Sequence, residues 1–107
     1  MADCSMLTRE LLAQLVSFDT TSRNPNLDLI AFIEDYLARH GVDSTRIDFE
    51  AGAKTNLLAT LGPAFAGGTV LSGHTDVVPV DGQDWHTDPF TVVERDGRLD
   101  AEMLAGA

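Results

Sequence analysis

The stretch VLSGHTDVVPVDGQDWHTDPF, residues 70–90, decides how this sequence is interpreted. Its first residues extend a short apolar run, and Thr69–Ser72 are predicted to form a buried strand. The chain then passes through Gly73 to His74 and Asp76 and enters a loop punctuated by proline and glycine. Because residues i and i+2 of an extended chain point the same way, His74 and Asp76 are predicted to share one face.

This pair of side chains suits a metal site. A neutral imidazole such as that of His74 can bind zinc through one nitrogen, while a carboxylate such as that of Asp76 holds the ring and fixes its tautomer. Gly73 would let the backbone pass close to an ion or a substrate. Zinc sites usually need at least three protein ligands, so a histidine hydrogen-bonded to a nearby aspartate is the ordinary alternative. The residues alone leave both interpretations open.

Two amphipathic helices are predicted before this stretch. Residues 8–18 place leucines on one face, with Thr8 as the N-cap. Asn26 is the predicted N-cap of the second helix, whose apolar stripe runs through residues 29–37. Gly41 suits the left-handed residue that commonly ends a helix.

Strands are predicted on both sides of the central stretch. Residues 45–50 alternate between apolar and polar side chains, and residues 56–61 form a second short apolar run. Residues 91–95 and 98–102 flank Asp96-Gly97, which is a strong signal for a two-residue hairpin turn. Helices followed by mixed strands indicate an α/β fold, and the 107 residues suffice for one domain.

The composition narrows the possible partners and the compartment. Lys and Arg number 7 against 17 Asp and Glu, so the net charge of -10 argues against nucleic acid or an anionic membrane as a partner. The single cysteine, Cys4, excludes an internal disulfide and favours a reduced, cytoplasmic setting. Asp3, Arg9 and Glu10 interrupt the region where a signal peptide needs an apolar core, so no secretory signal is predicted. The apolar runs are too short to span a bilayer.

Other chemically capable residues have simpler interpretations. His86 is predicted to be a solvated loop residue, and His40 a cation at the C-terminal end of the second helix. Trp85 and Phe90 are predicted to pack their loop onto the domain. Nothing marks Cys4 as a nucleophile. The sequence shows no glycine-rich phosphate loop, nucleophile elbow or basic stripe.

Residues 70–90 resemble the first metal motif of the M20 metallopeptidase family. Three further segments are similar to the acetylornithine deacetylase branch of that family: Ser17–Asn24 (SFDTTSRN), Lys54–Pro63 (KTNLLATLGP) and Pro79–Trp85 (PVDGQDW). Succinyl-diaminopimelate desuccinylases share the GHTDVVP core but are less similar in these flanks. The resemblance covers nearly all of residues 7–99.

The resemblance implies the amino-terminal part of a zinc-hydrolase catalytic domain, with an incomplete mixed sheet and helices. Complete members carry two zinc ions and a smaller inserted domain that mediates a homodimer, and cobalt can occupy a similar ligand set. They hydrolyse an amide bond of an N-acylated amino acid; this branch converts N-acetyl-L-ornithine to L-ornithine and acetate for arginine synthesis. His74 matches the first zinc ligand, and Asp76 matches the catalytic-site acid that supports it. No substrate-binding residue is assigned.

The sequence departs from the family near its end. After Leu99 the family continues with YGRG and then DMKG, whose aspartate bridges the two metals. Here residues 100–107 read DAEMLAGA, and Gly106 stands where the bridging aspartate is expected. Asp100 and Glu102 are out of register and are not assigned as ligands. Residues 1–107 are therefore predicted to be a partial catalytic domain without the dimerisation domain, and to be inactive in isolation.

Two alternative functions remain open. The chain could derive from another M20 hydrolase, such as a succinyl-diaminopimelate desuccinylase or a peptidase. It could also be a non-catalytic acidic module that binds a partner, although only the net charge supports this. Strands without neighbours would leave open edges and exposed apolar faces, which predicts association or poor solubility rather than a well-behaved binding module.

Overall fold

The computed structural model describes residues 7–101, which form two helices and two small antiparallel sheets. The elements in chain order are α1 (Thr8–Val16), α2 (Leu27–Arg39), β1 (Ser44–Phe49), β2 (Lys54–Ala59), β3 (Val93–Arg95) and β4 (Arg98–Asp100). The predicted α/β class is confirmed. Predictions for Cys4, Glu102 and Gly106 lie outside the described residues. No helix in the described range is long and apolar enough to cross a membrane.

The described residues divide into two compact units, one from residues 7–25 with 76–101 and one from residues 26–75. In the first unit, α1 buries Val16, which is 1% exposed. The predicted N-cap, Thr8, is wrong because Thr8 is already helical and Leu7 precedes the helix. The Glu10 carboxylate accepts a hydrogen bond from the Leu7 N–H at 3.3 Å, so an acidic residue inside the first turn satisfies this donor.

The first unit also contains the β3–β4 hairpin. Val93 pairs with Asp100 and Arg95 with Arg98, and the two-residue turn is Asp96-Gly97. Both turn residues have positive φ, 53° for Asp96 and 74° for Gly97, as a type I′ turn requires. The predicted hairpin is confirmed, with shorter strands than expected.

In the second unit, α2 packs against both strands of the β1–β2 hairpin. Leu29 and Ile30 are buried. The helix ends as predicted: Gly41 has a φ of 73°, and the Val42 N–H donates to the Leu37 carbonyl at 2.9 Å. The Arg46 guanidinium donates to the Glu34 carboxylate from its Nε at 2.9 Å, which ties β1 to the helix.

Asn26 occupies the predicted N-cap position of α2, but its side chain does not cap the helix. The side-chain amide donates to the Thr55 carbonyl at 2.9 Å and accepts from the Thr55 N–H at 3.0 Å. It thereby pairs with β2 as a neighbouring strand would. A capping bond would satisfy one backbone group at the start of the helix. The pairing with Thr55 instead satisfies two backbone groups of a residue that is 1% exposed.

The predicted strands before the central stretch are confirmed with shifted bounds. β1 and β2 pair in antiparallel register from Ser44 opposite Ala59 to Phe49 opposite Lys54. The second strand therefore lies two residues earlier than the apolar run at 56–61 suggests. Register is set by the connecting turn, and here the left-handed Glu50, Ala51 and Gly52 reverse the chain early.

The prediction of a buried strand at Thr69–Ser72 is wrong. These residues belong to no strand, and Val70 and Leu71 are 85% and 93% exposed. A strand exists only when another strand supplies its hydrogen bonds, and within residues 7–101 no strand runs beside this segment. Apolar composition alone therefore does not place it in a sheet.

Candidate functional site

The two predicted site residues, His74 and Asp76, lie in an irregular segment rather than at the end of a strand. Both residues are exposed. His74 is close to the end of the 26–75 unit, and Asp76 begins the second stretch of the other unit.

Asp76 is held by a segment far away in sequence. The Ser22 hydroxyl donates to Asp76 Oδ2 at 2.8 Å, and it also lies 3.3 Å from the Val77 carbonyl. The backbones meet at the same point: the Ser22 N–H donates to the Val77 carbonyl at 3.0 Å, and the Val77 N–H donates to the Thr20 carbonyl at 3.2 Å. Thr21 and Val77 thus form a parallel bridge.

The segment that holds Asp76 is itself ordered by a second aspartate. Asp19 Oδ1 accepts a hydrogen bond from the Thr21 hydroxyl at 2.6 Å and from the Thr21 N–H at 3.1 Å. The hydroxyl bond is the largest cause of a lowered pKa of Asp19, and partial burial opposes it. The side chains of Thr20 and Thr21 are buried, and the Asn24 N–H closes the turn onto the Thr21 carbonyl at 2.7 Å.

A second side-chain link joins the same two segments. The Arg23 guanidinium donates two hydrogen bonds to the Asp81 carboxylate, at 2.9 and 3.1 Å. This bidentate geometry is the strongest form of an arginine–carboxylate contact. These hydrogen bonds, and after them the charge of the partner, lower the pKa of Asp81 and raise the pKa of Arg23 because both favour the ionised forms.

The loop after Asp81 carries the other residues considered from the sequence. Gln83 donates to the Pro79 carbonyl at 2.7 Å and accepts from the Trp85 indole at 2.9 Å. Trp85 and Phe90 are partly buried, in agreement with a packing role, and His86 is exposed as predicted. This loop and the β3–β4 hairpin line an open cavity of about 450 Å³.

His40 lies at the C-terminal end of α2, where the sequence predicted it. Its ring centroid is 4.7 Å from that of Tyr36, one helical turn earlier, and the two planes are tilted by 52°. His40 therefore has a structural environment of its own, away from the GHTD motif in sequence.

A zinc site needs three or four donors gathered around one point. In the part of the chain that the structure describes, no group of three or more His, Cys, Asp and Glu residues is placed to hold a metal ion. The described residues therefore do not fit a complete metal centre by themselves. No catalytic step through a metal is derived for this chain alone.

Sequence reasoning identified Asp76 but missed the residues that hold it. Ser22 and Arg23 lie in the SFDTTSRN segment, which contributed to the resemblance without being given a role. A signal was present, because this polar segment and the PVDGQDW segment are both similar to the same branch of the family. Only the folded chain shows that the two segments are paired.

Comparison with curated proteins finds relatives that are named acetylornithine deacetylase. The acetylornithine deacetylase of Myxococcus xanthus is 40% identical over 104 residues, which are 92% of this chain and 27% of that protein. The protein from Proteus mirabilis strain HI4320 is 38% identical over 97 residues, covering 87% of this chain and 24% of its own length. The protein from Shigella sonnei strain Ss046 is 42% identical over 81 residues, covering 69% of this chain and 19% of its own length.

The resemblance drawn from the sequence is thus confirmed: the chain is related to the acetylornithine deacetylases. It spans only 19% to 27% of the length of these relatives. Its two helices and antiparallel hairpins are consistent with part of an M20 domain. No protein-family model matches the chain.

Proposed function

We propose that this chain represents the part of an acetylornithine deacetylase that carries the first metal motif, and that it is inactive by itself. The single observation that carries the proposal is the 40% identity to the Myxococcus xanthus protein over 92% of this chain. The reaction proposed for the complete protein is hydrolysis of N-acetyl-L-ornithine to L-ornithine and acetate. The proposed setting is the cytoplasm, and the proposed assembly of the complete protein is a homodimer.

His74 and Asp76 have distinct proposed roles in that complete protein. His74 would bind one of two zinc ions through a ring nitrogen, and cobalt is the alternative metal. Asp76 would accept a hydrogen bond from the N–H of the other ring nitrogen and so fix the tautomer that binds metal. The support is their position two residues apart in the GHTD motif.

The inactivity of the chain alone follows from ligand number. One histidine and its supporting carboxylate cannot fill the coordination shell of a catalytic zinc ion, and no third donor joins them within the described residues. We expect the purified 107-residue chain, supplied with zinc, to release no acetate from N-acetyl-L-ornithine above a zinc-only control. Zinc-dependent release of acetate by the purified chain would contradict this.

A chimera tests the proposed activity. The matching segment of the Myxococcus xanthus relative is replaced by this chain, and acetate release is measured with N-acetyl-L-ornithine and N-succinyl-diaminopimelate. We expect hydrolysis of the acetylated substrate, a loss of at least about 100-fold in His74→Ala, and about 10- to 100-fold in Asp76→Asn. The matched control, His40→Ala, removes a histidine at the end of α2 and should leave the rate unchanged.

The substrate pair separates the branches of the family. Preference for the succinylated compound would move the assignment to the desuccinylases. A chimera that folds and binds zinc yet hydrolyses neither compound would refute a hydrolase role for this segment.

A further inference from the structure

Residues 19–24, here called the strap, run beside residues 76–81 although more than 50 positions separate them. Two backbone hydrogen bonds join the segments, at 3.0 and 3.2 Å. Two side-chain links lie on either side of them: Ser22 to Asp76, and Arg23 to Asp81. The strap therefore contacts both the start and the end of residues 76–81, which begin at the aspartate of the GHTD motif.

We propose that Ser22 is a positioning residue that fixes the orientation of the Asp76 carboxylate. The Ser22 hydroxyl donates a hydrogen bond to Asp76 Oδ2 at 2.8 Å. This bond is charge-assisted and selects one side-chain rotamer of Asp76. The catalytic meaning of this orientation rests on the proposed function, in which Asp76 holds the imidazole of His74. The orientation itself does not depend on a metal.

The strap is built to deliver this hydroxyl from a fixed point. Asp19 accepts hydrogen bonds from both the hydroxyl and the N–H of Thr21. Thr20 and Thr21 are 3% and 1% exposed, so the backbone immediately before Ser22 is anchored by buried side chains. A residue that orients a functional group must itself be held, and this local network meets that requirement for Ser22.

The other link sets the course of the chain after Asp76. The bidentate Arg23–Asp81 pair holds the strap to the far end of the segment, five residues beyond Asp76. With both ends attached, the hydrogen bond from the Val77 N–H to the Thr20 carbonyl is supported, and this bond restrains the backbone next to Asp76. Arg23 is therefore a second positioning residue, acting on the backbone rather than on the carboxylate.

The test measures Asp76 directly in the isotope-labelled 107-residue chain by nuclear magnetic resonance. Three-bond couplings report whether its χ1 angle is fixed or averaged. We expect one rotamer in the unaltered chain and in Ser22→Thr, and averaging in Ser22→Ala. The matched control is Ser17→Ala, because the Ser17 hydroxyl bonds only the Gln14 carbonyl, at 2.6 Å, in the same unit.

Ser22→Cys separates the hydrogen bond from the shape of the side chain. A thiol is close in shape to a hydroxyl but is a weak donor, so this variant should fold and still show averaging at Asp76. Hydrogen exchange at the Val77 amide should become about fivefold faster in Arg23→Ala. This is the loss of protection expected when an exposed contact, here the Arg23–Asp81 pair, no longer supports the backbone hydrogen bond. Arg39→Ala, which removes an exposed ion pair within α2, should leave Val77 unchanged.

An averaged Asp76 in the unaltered chain, or one that stays fixed in both Ser22→Ala and Ser22→Cys, overturns the proposal. In the active chimera, Ser22→Ala should lower kcat about tenfold at constant KM, and Ser22→Thr should restore it. A fixed Asp76 in a chimera without activity supports the strap and refutes the proposed function. The two ideas can therefore fail separately.

Discussion

Asn26 provides the sharpest test of how the second unit is held together. Its side-chain amide pairs with the N–H and the carbonyl of Thr55, a residue on the edge of β2. Thr55 is 1% exposed, so water does not readily replace these partners. Asn26→Ala would leave one buried donor and one buried acceptor without their bonds.

The expected loss can be worked from those two groups. An unsatisfied buried polar group costs about 1–3 kcal/mol, and water that enters the space left by the truncated side chain reduces the sum for two groups to roughly 2–4 kcal/mol. No loss of helix capping is added, because the side chain does not cap α2. With a urea m-value of about 1–3 kcal/mol/M, the midpoint followed by circular dichroism should fall by about 1–4 M.

Two further variants make the result specific. Asn56→Ala removes an exposed amide from the same strand and should cost less than about 0.5 kcal/mol. Asn26→Asp keeps an acceptor for the Thr55 N–H but places a carboxylate beside the Thr55 carbonyl. It should therefore be destabilised at neutral pH and recover in part as acid protonates the new carboxyl group. A loss below about 1 kcal/mol in Asn26→Ala, with the Thr55 amide still protected from exchange, would refute this reasoning.

Three other predictions concern packing, a turn and pH. Leu29→Ala should reduce the free energy of unfolding by about 2–5 kcal/mol because Leu29 is 1% exposed, whereas Leu58→Ala, at 57% exposure, should cost under about 1 kcal/mol in the same urea titration. Gly97→Ala should reduce the free energy of unfolding by about 1–2 kcal/mol because the φ of Gly97 is 74°. Gly73→Ala, in open space and without a positive φ, should leave it unchanged. Equal effects of the two substitutions would contradict the role given to the left-handed conformation of Gly97. The Arg23–Asp81 pair lowers the pKa of Asp81, so its stabilisation is complete above the ordinary aspartate pKa near 3.8 and is lost as pH falls through the lowered value. The difference in urea midpoint between the unaltered chain and Asp81→Asn should therefore vanish in strong acid, and a difference that persists there would argue against the pair.

Local elements were predicted well from the sequence. The apolar stripe and Gly41 predicted α2 and its end, and Asp96-Gly97 predicted the β3–β4 turn. These features depend on hydrogen bonds between residues a few positions apart, so nearby side chains decide them. The N-cap of α1 is Leu7 rather than the predicted Thr8, and the Glu10 carboxylate accepts from the Leu7 N–H from inside the helix.

Elements that need a distant partner were predicted poorly. Val70 and Leu71 have the composition of a buried strand, yet they are almost fully exposed because no strand in the described part of the chain pairs with them. Asn26 was correctly placed at the start of α2, but its side chain bonds a residue 29 positions away. Periodicity describes what a segment can form, and the rest of the fold determines whether the partner is present.

For the candidate site, the sequence by itself determined the family resemblance and the pair of residues, His74 and Asp76, that a metal motif would use. Only the tertiary structure decided that Ser22 binds the Asp76 carboxylate across 54 positions and that Arg23 binds Asp81 across 58. The physical reason is that a motif is a run of neighbouring residues, whereas the orientation of its side chains depends on groups that only folding brings within hydrogen-bonding distance.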